Sequence, residues 1–89
     1  MFPKACEYGI RATIYVAEQS LDDKRVSLMA IAHEIGSPLA FTAKILQHLV
    51  KHKIMHSAMG PSGGFQIEKK QINQISLSQI VDAIDGNAM

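Results

Sequence analysis

Three polar side chains in the middle of the chain are spaced so that they lie on one face of a helix. Lys44, Gln47 and Lys51 are separated by three and four residues, which is the spacing of a helical face. A lysine ammonium can bind phosphate oxygens or the edge of guanine, and a glutamine amide can pair with adenine. This face therefore has the chemistry to bind the major groove of a nucleic-acid duplex.

The charges around this segment are unevenly distributed. The chain has nine lysines and arginines, eight acidic residues and a formal net charge of +1. No carboxylate lies between Glu34 and Glu68, whereas Lys44, Lys51 and Lys53 and three of the four histidines do. An acid-free central third suits contact with a polyanion. A chance gap in a short chain is the alternative, and charge alone does not separate the two.

Two histidines on the same segment have the spacing of a metal clamp. His48 and His52 are four residues apart, as in helical two-histidine zinc sites. Since no carboxylate or cysteine stands near them in sequence, we interpret both, and His33 before them, as solvated side chains. No metal and no cofactor are expected.

The single cysteine allows two interpretations. A thiol near a helix N-terminus can have a lowered pKa and sense oxidation, but a free cysteine on an apolar face more often packs as a small hydrophobic residue. We interpret Cys6 in the second way. Nucleophile–base arrangements, phosphate-binding loops and paired-carboxylate motifs are absent from the sequence, so we expect no enzymatic activity.

The length and composition limit the architecture. Eighty-nine residues, 47% of them apolar, predict one domain over residues 1–89. No apolar run approaches the roughly 20 residues that cross a bilayer, and no signal-peptide pattern opens the chain. We expect a cytoplasmic protein without membrane contact.

The first predicted helix spans about residues 4–20. Thr13 lies at the edge of its apolar face, where its hydroxyl can bond back to the helix. The residues expected to face the core are Cys6, Ile10, Ile14, Ala17 and Leu21. Val26, after a polar loop, is expected to form a strand of one or two residues.

The next two helices are predicted to be joined by a tight turn. Ser27 is a plausible N-cap for a short helix, Leu28 to Ile35, which Gly36 can end. Ser37 is then expected to cap a third helix, with Pro38 at its first position.

The third helix is predicted to run to about Lys53. Its inner stripe comprises Thr42, Ile45, Leu46, Leu49 and the Lys53 stem. Its outer face carries Ala40, Lys44, Gln47, His48 and Lys51. Such a helix is amphipathic, with a polar and basic outer side.

A glycine-rich hairpin and a last helix follow. Residues 54–59 and 65–67 flank the loop 60–64, which holds three of the six glycines and predicts a β-hairpin. Ser76-Leu77-Ser78-Gln79 is a capping-box pattern, and Gly86 can end the helix. Its inner face is expected to comprise Leu77, Ile80, Val81 and Ile84.

This order of elements predicts an α+β winged helix-turn-helix with a three-helix core, a wing of two to three strands and a C-terminal helix. Ala32, four residues before Gly36, lets the two helices of the motif cross closely. The third helix would enter the major groove and the wing would approach the minor groove. A winged-helix module that binds proteins and not DNA is the alternative.

Several motifs resemble the Rrf2 family of winged-helix transcriptional regulators. They are Glu7-Tyr8-Gly9-Ile10-Arg11-Ala12, Val26-Ser27-Leu28 with Ile31-Ala32, Gly60-Pro61-Ser62-Gly63-Gly64-Phe65, and Ile75-Ser76-Leu77 with Ile80-Val81 and Ala83-Ile84-Asp85-Gly86. The resemblance implies a bacterial, homodimeric regulator that binds partly palindromic double-stranded DNA. It implies a recognition helix over about 38–53 in the major groove and a wing over 54–67 at the minor groove.

The resemblance also implies which residues contact DNA. The base-reading turn corresponds to Ser37, Pro38, Ala40, Phe41, Ala43 and Lys44, and the wing corresponds to Met59, Gly60, Pro61, Ser62, Gly63 and Gly64. Gln47 and Lys51 join this set from their place on the outer face. Several members have an acidic residue and an arginine where Ala43 and Met59 stand here, so a different target preference is expected.

Members usually continue into a long dimerisation helix, and sensing members have three cysteines before it. Residues 1–89 contain neither, so we expect weak pairing or pairing only on DNA.

Overall fold

The computed structural model describes residues 4–58 and 63–85. Three helices, a two-stranded antiparallel sheet and two further helices follow one another along the chain, which agrees with the α+β prediction. The elements are α1 (Lys4–Leu21), α2 (Leu28–Ile35), α3 (Leu39–Lys51), β1 (His56–Ala58), β2 (Gly64–Gln66), α4 (Lys69–Ile72) and α5 (Leu77–Ile84). No helix in these two ranges is long and apolar enough to cross a membrane.

The buried face of α1 differs from the predicted one. Ile14 and Leu21 are 54% and 57% exposed, whereas the buried residues are Cys6, Gly9, Ala12, Thr13, Val16 and Ser20. A Cβ placed on Gly9 would overlap the side chain of Ile84 in α5. Because α5 approaches so closely, α1 turns its small residues inward and leaves its larger apolar residues at the edge of the contact. The predicted core stripe is therefore wrong at Ile14 and Leu21, whereas Cys6 is buried and Ile10 and Ala17 pack against the core as half-buried residues. Thr13 donates to the Gly9 carbonyl at 2.8 Å, as expected.

The start of the helix-turn-helix follows the prediction. The Ser27 hydroxyl accepts from the Ala30 amide at 3.1 Å, and Gly36 ends α2 with a φ of 69°. Glycine suits this left-handed position because it has no Cβ. The short strand predicted at Val26 is present as a bridge to Phe65.

The start of α3 is shifted by one residue from the prediction. Pro38, not Ser37, is the N-cap, and no side chain caps the helix. The Ser37 amide is bonded to the Ala32 carbonyl at 3.0 Å, which turns the Ser37 side chain inward, where its hydroxyl donates to the Pro38 carbonyl at 3.4 Å. The Thr42 hydroxyl donates to the same carbonyl at 2.8 Å.

The end of α3 also differs from the prediction. The helix ends at Lys51, and Lys53 has a φ of 62°. The Ile54 amide donates to the Leu49 carbonyl at 3.0 Å and the Lys53 amide to the Val50 carbonyl at 2.9 Å. These two bonds form a Schellman motif with Lys53 at the position that glycine usually occupies. The Lys53 stem is exposed and does not extend the inner stripe.

The wing is a short sheet anchored in the core. β1 and β2 pair antiparallel, with Ser57 opposite Phe65, and Val26 adds a bridge on the other side of β2. The strands are shorter than predicted because the Ile54 amide donates to the Leu49 carbonyl and the Ile67 amide to the Ser20 hydroxyl, not to the partner strand. Ile54, Met55 and Ile67 are buried in the core. The tip, residues 59–62, lies outside the described residues.

The C-terminal part contains one helix that the sequence did not predict, α4. At four residues it is too short to show a helical period. The capping box of α5 is confirmed, with Ser76 and Gln79 bonded reciprocally. Of the predicted inner face, Ile80 is buried and Val81 and Ile84 are half-buried, whereas Leu77, the first residue of α5, is 52% exposed; Ala83 is buried as well. Gly86 lies outside the described residues.

Candidate nucleic-acid interface

The inner face of α3 fixes the orientation of this helix. Thr42, Ile45, Leu46 and Leu49 are at most 2% exposed, as predicted. They pack with α1, α2 and α5. Because this stripe is anchored against three other helices, the opposite side of α3 is held outward in one orientation.

The outer face of α3 is accessible and basic. Ala40, Lys44, Gln47 and Lys51 are exposed, and His48 is half-buried. No acidic residue occurs in α3. The side chains that were predicted to meet a duplex are thus brought together on the side that does not pack on the protein. In the described residues, neither Lys44 nor Lys51 forms an ion pair.

The residues of the predicted base-reading turn, at the start of α3, differ in how far they are exposed. Ser37, which was placed in the base-reading turn, is only 8% exposed, and its hydroxyl donates to the Pro38 carbonyl. Phe41 is 37% exposed and packs edge-to-face on Tyr8 at 5.8 Å between ring centroids, which ties α3 to α1. Pro38 is exposed and Ala43 is half-buried.

Of the predicted wing residues, the structure describes Gly63 and Gly64. A Cβ on Gly64 would lie 2.7 Å from the Val26 carbonyl oxygen, so glycine permits the close approach of these two backbones. The other predicted wing residues, Met59, Gly60, Pro61 and Ser62, lie outside the described ranges.

Sequence reasoning missed two basic residues beside the wing. Lys24 and Arg25, placed only in a polar loop, line an open groove together with Ser27, Gly63 and Gln66. Arg25 Nε donates to Gln66 Oε1 at 3.4 Å. The signal that could have found them is the position of this basic pair directly before Val26, the residue that pairs with the wing.

The rival sites behave as packed or solvated groups. Cys6 is fully buried, and burial, with a further contribution from the Asp85 carboxylate, raises the pKa of its thiol. A raised pKa disfavours the thiolate that a redox sensor needs.

The histidine pair of α3 also lacks the arrangement of a metal clamp. His52 Nδ1 donates to the His48 carbonyl at 2.9 Å, which uses one ring nitrogen of this pair. Within residues 4–58 and 63–85, no three histidine, cysteine or acidic side chains gather as a metal site.

Comparison with known families identifies the family of this chain. A family model described as Rrf2, iron-dependent transcriptional regulator, matches residues 2–89. The chain belongs to this family. Rrf2 proteins are transcriptional regulators and not enzymes, as expected from the sequence. In residues 4–58 and 63–85, no group of three histidine, cysteine or acidic side chains is placed to hold the iron named in that description.

Individual relatives agree with this Rrf2 assignment. The chain is 30% identical over 88 residues to an rrf2-like HTH-type transcriptional regulator of Rhodobacter capsulatus, and the match covers 97% of this chain and 58% of that protein. It is 29% identical to an HTH-type transcriptional regulator of Aquifex aeolicus, covering 92% and 55% of the two chains. The chain therefore spans somewhat more than half the length of these relatives.

Solved structures show the same fold. IscR of T. potens superposes with a TM-score of 0.84 at 22% identity, covering 97% of this chain and 61% of IscR. CymR, the global cysteine regulator of B. subtilis, gives a TM-score of 0.85 at 19% identity, covering 97% and 65%. At this identity the likeness shows the fold, and it confirms the winged helix-turn-helix prediction for this Rrf2 chain.

Proposed function

We propose that residues 1–89 form one DNA-binding domain of a homodimeric, sequence-specific transcriptional regulator. The observation that carries the proposal is the exposed, acid-free outer face of α3, with Lys44, Gln47 and Lys51 side by side. Membership of a family of transcriptional regulators supports the same function.

The dimensions of α3 suit a duplex. Its 13 residues extend about 20 Å, and Lys44 and Lys51 are separated by about 10 Å along the axis. The major groove is about 12 Å wide and admits one helix. The two ammonium groups can therefore reach phosphates or guanine edges while Gln47 between them pairs with adenine. Pro38, Ala40 and Ala43 are small enough to let the start of the helix approach the base edges.

The wing supplies the second part of the proposed contact. The hairpin over residues 54–67 follows α3 directly, and its glycines can bring backbone amides close to a phosphate or the minor groove. Most of the affinity should come from phosphate neutralisation by Lys44, Lys51, Lys53 and wing amides. Base readout should differ from relatives that have charged residues in place of Ala43 and Met59.

The dimer and the location are part of the same proposal. Two recognition helices about 34 Å apart would read two half-sites one turn apart on a partly palindromic operator. Binding to the chromosome places the protein in the cytoplasm.

We expect residues 1–89 to pair weakly or only on DNA. Light scattering with and without operator DNA measures this pairing, and a stable dimer without DNA would contradict the expectation.

Fluorescence anisotropy tests the DNA-binding proposal. Labelled mixed genomic fragments are titrated with the protein at roughly 50 and 200 mM salt, and the affinity should fall by orders of magnitude between the two. A flat response at both salt concentrations would contradict DNA binding and favour a protein-interaction module. Selection of bound fragments at the higher salt should then enrich a partly palindromic sequence.

A further inference from the structure

A small pocket lies at the C-terminal end of α3, on a different part of the molecule from the basic outer face. It has a volume of about 270 Å³ and is formed by the residues that follow α3, by α4 and by α5. This volume is just below the range of about 300–1,000 Å³ typical of drug-sized ligands, so the pocket has room for a small metabolite.

Two side chains of opposite charge line this pocket. Lys53, two residues after the end of α3, and Asp82 in α5 are lining residues, and both are exposed. Neither forms an ion pair with the other or with a third residue in the ranges that the structure describes. A ligand with one anionic and one cationic group would therefore satisfy both charges at once.

The remaining lining consists of two isoleucines, three glutamines and His52. Ile54, which is buried, and Ile75, which is half-buried, offer apolar surface. Gln74 and Gln79 offer amides, and Gln79 uses its Oε1 to accept from the Ser76 amide at 2.8 Å, so its N–H groups remain as donors. A few polar groups on a partly apolar wall are typical of small-molecule sites.

The position of Lys53 in this pocket is held by the protein. Lys53 has a left-handed φ of 62°, a conformation that costs a non-glycine residue free energy. The Gln71 Nε2 donates to the Lys53 carbonyl and, at 3.3 Å, to the Ile54 carbonyl, which fixes the backbone that directly follows Lys53. Strain that the surroundings maintain is frequent at binding sites.

We propose that this pocket binds a small zwitterion of the α-amino-acid class. The ligand carboxylate lies against the Lys53 ammonium, the ligand ammonium lies against the Asp82 carboxylate, and an aliphatic or amide side chain packs on Ile54 and Ile75. The site does not include Lys44, Gln47 or Lys51 of the outer face of α3, but it shares Lys53 with the proposed phosphate contacts. Ligand binding is therefore measured on the protein without DNA, where its outcome does not depend on the proposed DNA binding.

The test is an amide-resolved NMR titration of the protein without DNA, with L-leucine and L-glutamine as probes up to roughly 10 mM, a weak-binding range. At least one should give saturable shifts confined to residues 52–54, 71–75 and 79–82. Isoamylamine and isocaproate, which each carry one of the two charges of leucine, should bind at least about tenfold more weakly than leucine. No saturable shifts with either amino acid, or equal binding of a singly charged analogue, would overturn the proposal.

Variants distinguish a loss of ligand binding from a loss of folding. Lys53→Gln and Asp82→Asn should each weaken binding at least about tenfold, whereas Lys24→Gln and Asp22→Asn, which make the same charge changes on an exposed loop away from the pocket, should not. Lys53→Gly removes the ammonium and also relieves the left-handed strain, so this variant should lose binding while remaining fully folded. Unchanged binding by Lys53→Gly or Asp82→Asn would overturn the proposal.

Discussion

The backbones of Gly64 and Val26 lie so close together that no larger residue fits at position 64. The Val26 amide donates to the Phe65 carbonyl at 3.0 Å, and the Phe65 amide donates to the Val26 carbonyl at 2.8 Å. A Cβ on Gly64 would lie 2.7 Å from that same Val26 carbonyl oxygen. The loop before α2 is thereby joined to the wing, so the helix-turn-helix and the hairpin are held in one arrangement.

Gly64→Val should lower the free energy of unfolding by roughly 1–3 kcal/mol, because the new side chain must displace the Val26 backbone. Urea denaturation measures the loss. Gly36→Asn is the control, since nothing lies within 4 Å of a Cβ at Gly36 and asparagine tolerates the left-handed conformation there. Equal stability of Gly64→Val and the wild type would contradict the described contact with Val26.

Ser20→Ala should destabilise the protein by about 1–3 kcal/mol. The buried Ser20 hydroxyl accepts from the Ile67 amide at 2.9 Å and so joins α1 to the end of the wing. Alanine would leave a buried amide without a partner. Ser57→Ala, at an exposed position of β1, should change stability by less than about 0.5 kcal/mol. If thermal unfolding shows the two variants to be alike, the bond between Ser20 and Ile67 contributes nothing.

Lys53→Gly should stabilise the protein by about 1 kcal/mol, because glycine adopts the left-handed conformation of residue 53 without steric cost. The same change in the middle of α3, Lys44→Gly, should destabilise it by about 1 kcal/mol. Denaturant midpoints of the two variants should therefore move in opposite directions. A loss of stability in Lys53→Gly would show that the Schellman motif at the end of α3 is not formed.

The thiol of Cys6 should make stability depend on alkaline pH. Burial raises the pKa of this thiol in the folded protein, so above its ordinary pKa of about 8.5 the unfolded chain loses the proton first. Stability from this group is then fully present below about pH 8.5 and falls as the pH rises towards the folded pKa. Urea denaturation across this range should show a steeper loss of stability in the wild type than in Cys6→Ala, which lacks the thiol.

Alkylation gives an independent readout of the same thiol. Native protein should react slowly with iodoacetamide at neutral pH, and urea-unfolded protein should react rapidly, because Cys6 is buried and its pKa is raised. Rapid modification of the native protein would contradict the interpretation of Cys6 as a packed core residue.

The local signals of the sequence predicted most of the fold. Ser27, Gly36 and the Ser76 capping box act through contacts with residues three or four positions away, so their roles follow from short patterns. The inner stripe of α3 was also predicted, because its apolar residues recur with the helical period. The basic outer face of the candidate site follows from that stripe.

The errors arose where packing between distant elements decides. The buried face of α1 is set by its close contact with α5 at Gly9 and Ile84, which no local period reveals. Ser37 is a local exception: it was expected to cap α3, but its amide donates to the Ala32 carbonyl at the end of α2 and the residue is buried. The pocket containing Lys53 and Asp82 joins residues almost thirty positions apart, so no sequence motif indicated it.

The salt dependence of DNA affinity in lysine variants tests the central claim most directly. Lys51→Gln and Lys44→Gln remove charge from the outer face of α3, and Lys70→Gln removes the same charge from α4, where Lys70 is exposed and forms no ion pair with the described residues. We expect the slope of log K against log salt to fall by about 0.9 for each phosphate that an α3 variant no longer neutralises, and to stay unchanged in Lys70→Gln. If all three variants bind DNA with the slope of the wild type, α3 does not lie against the duplex.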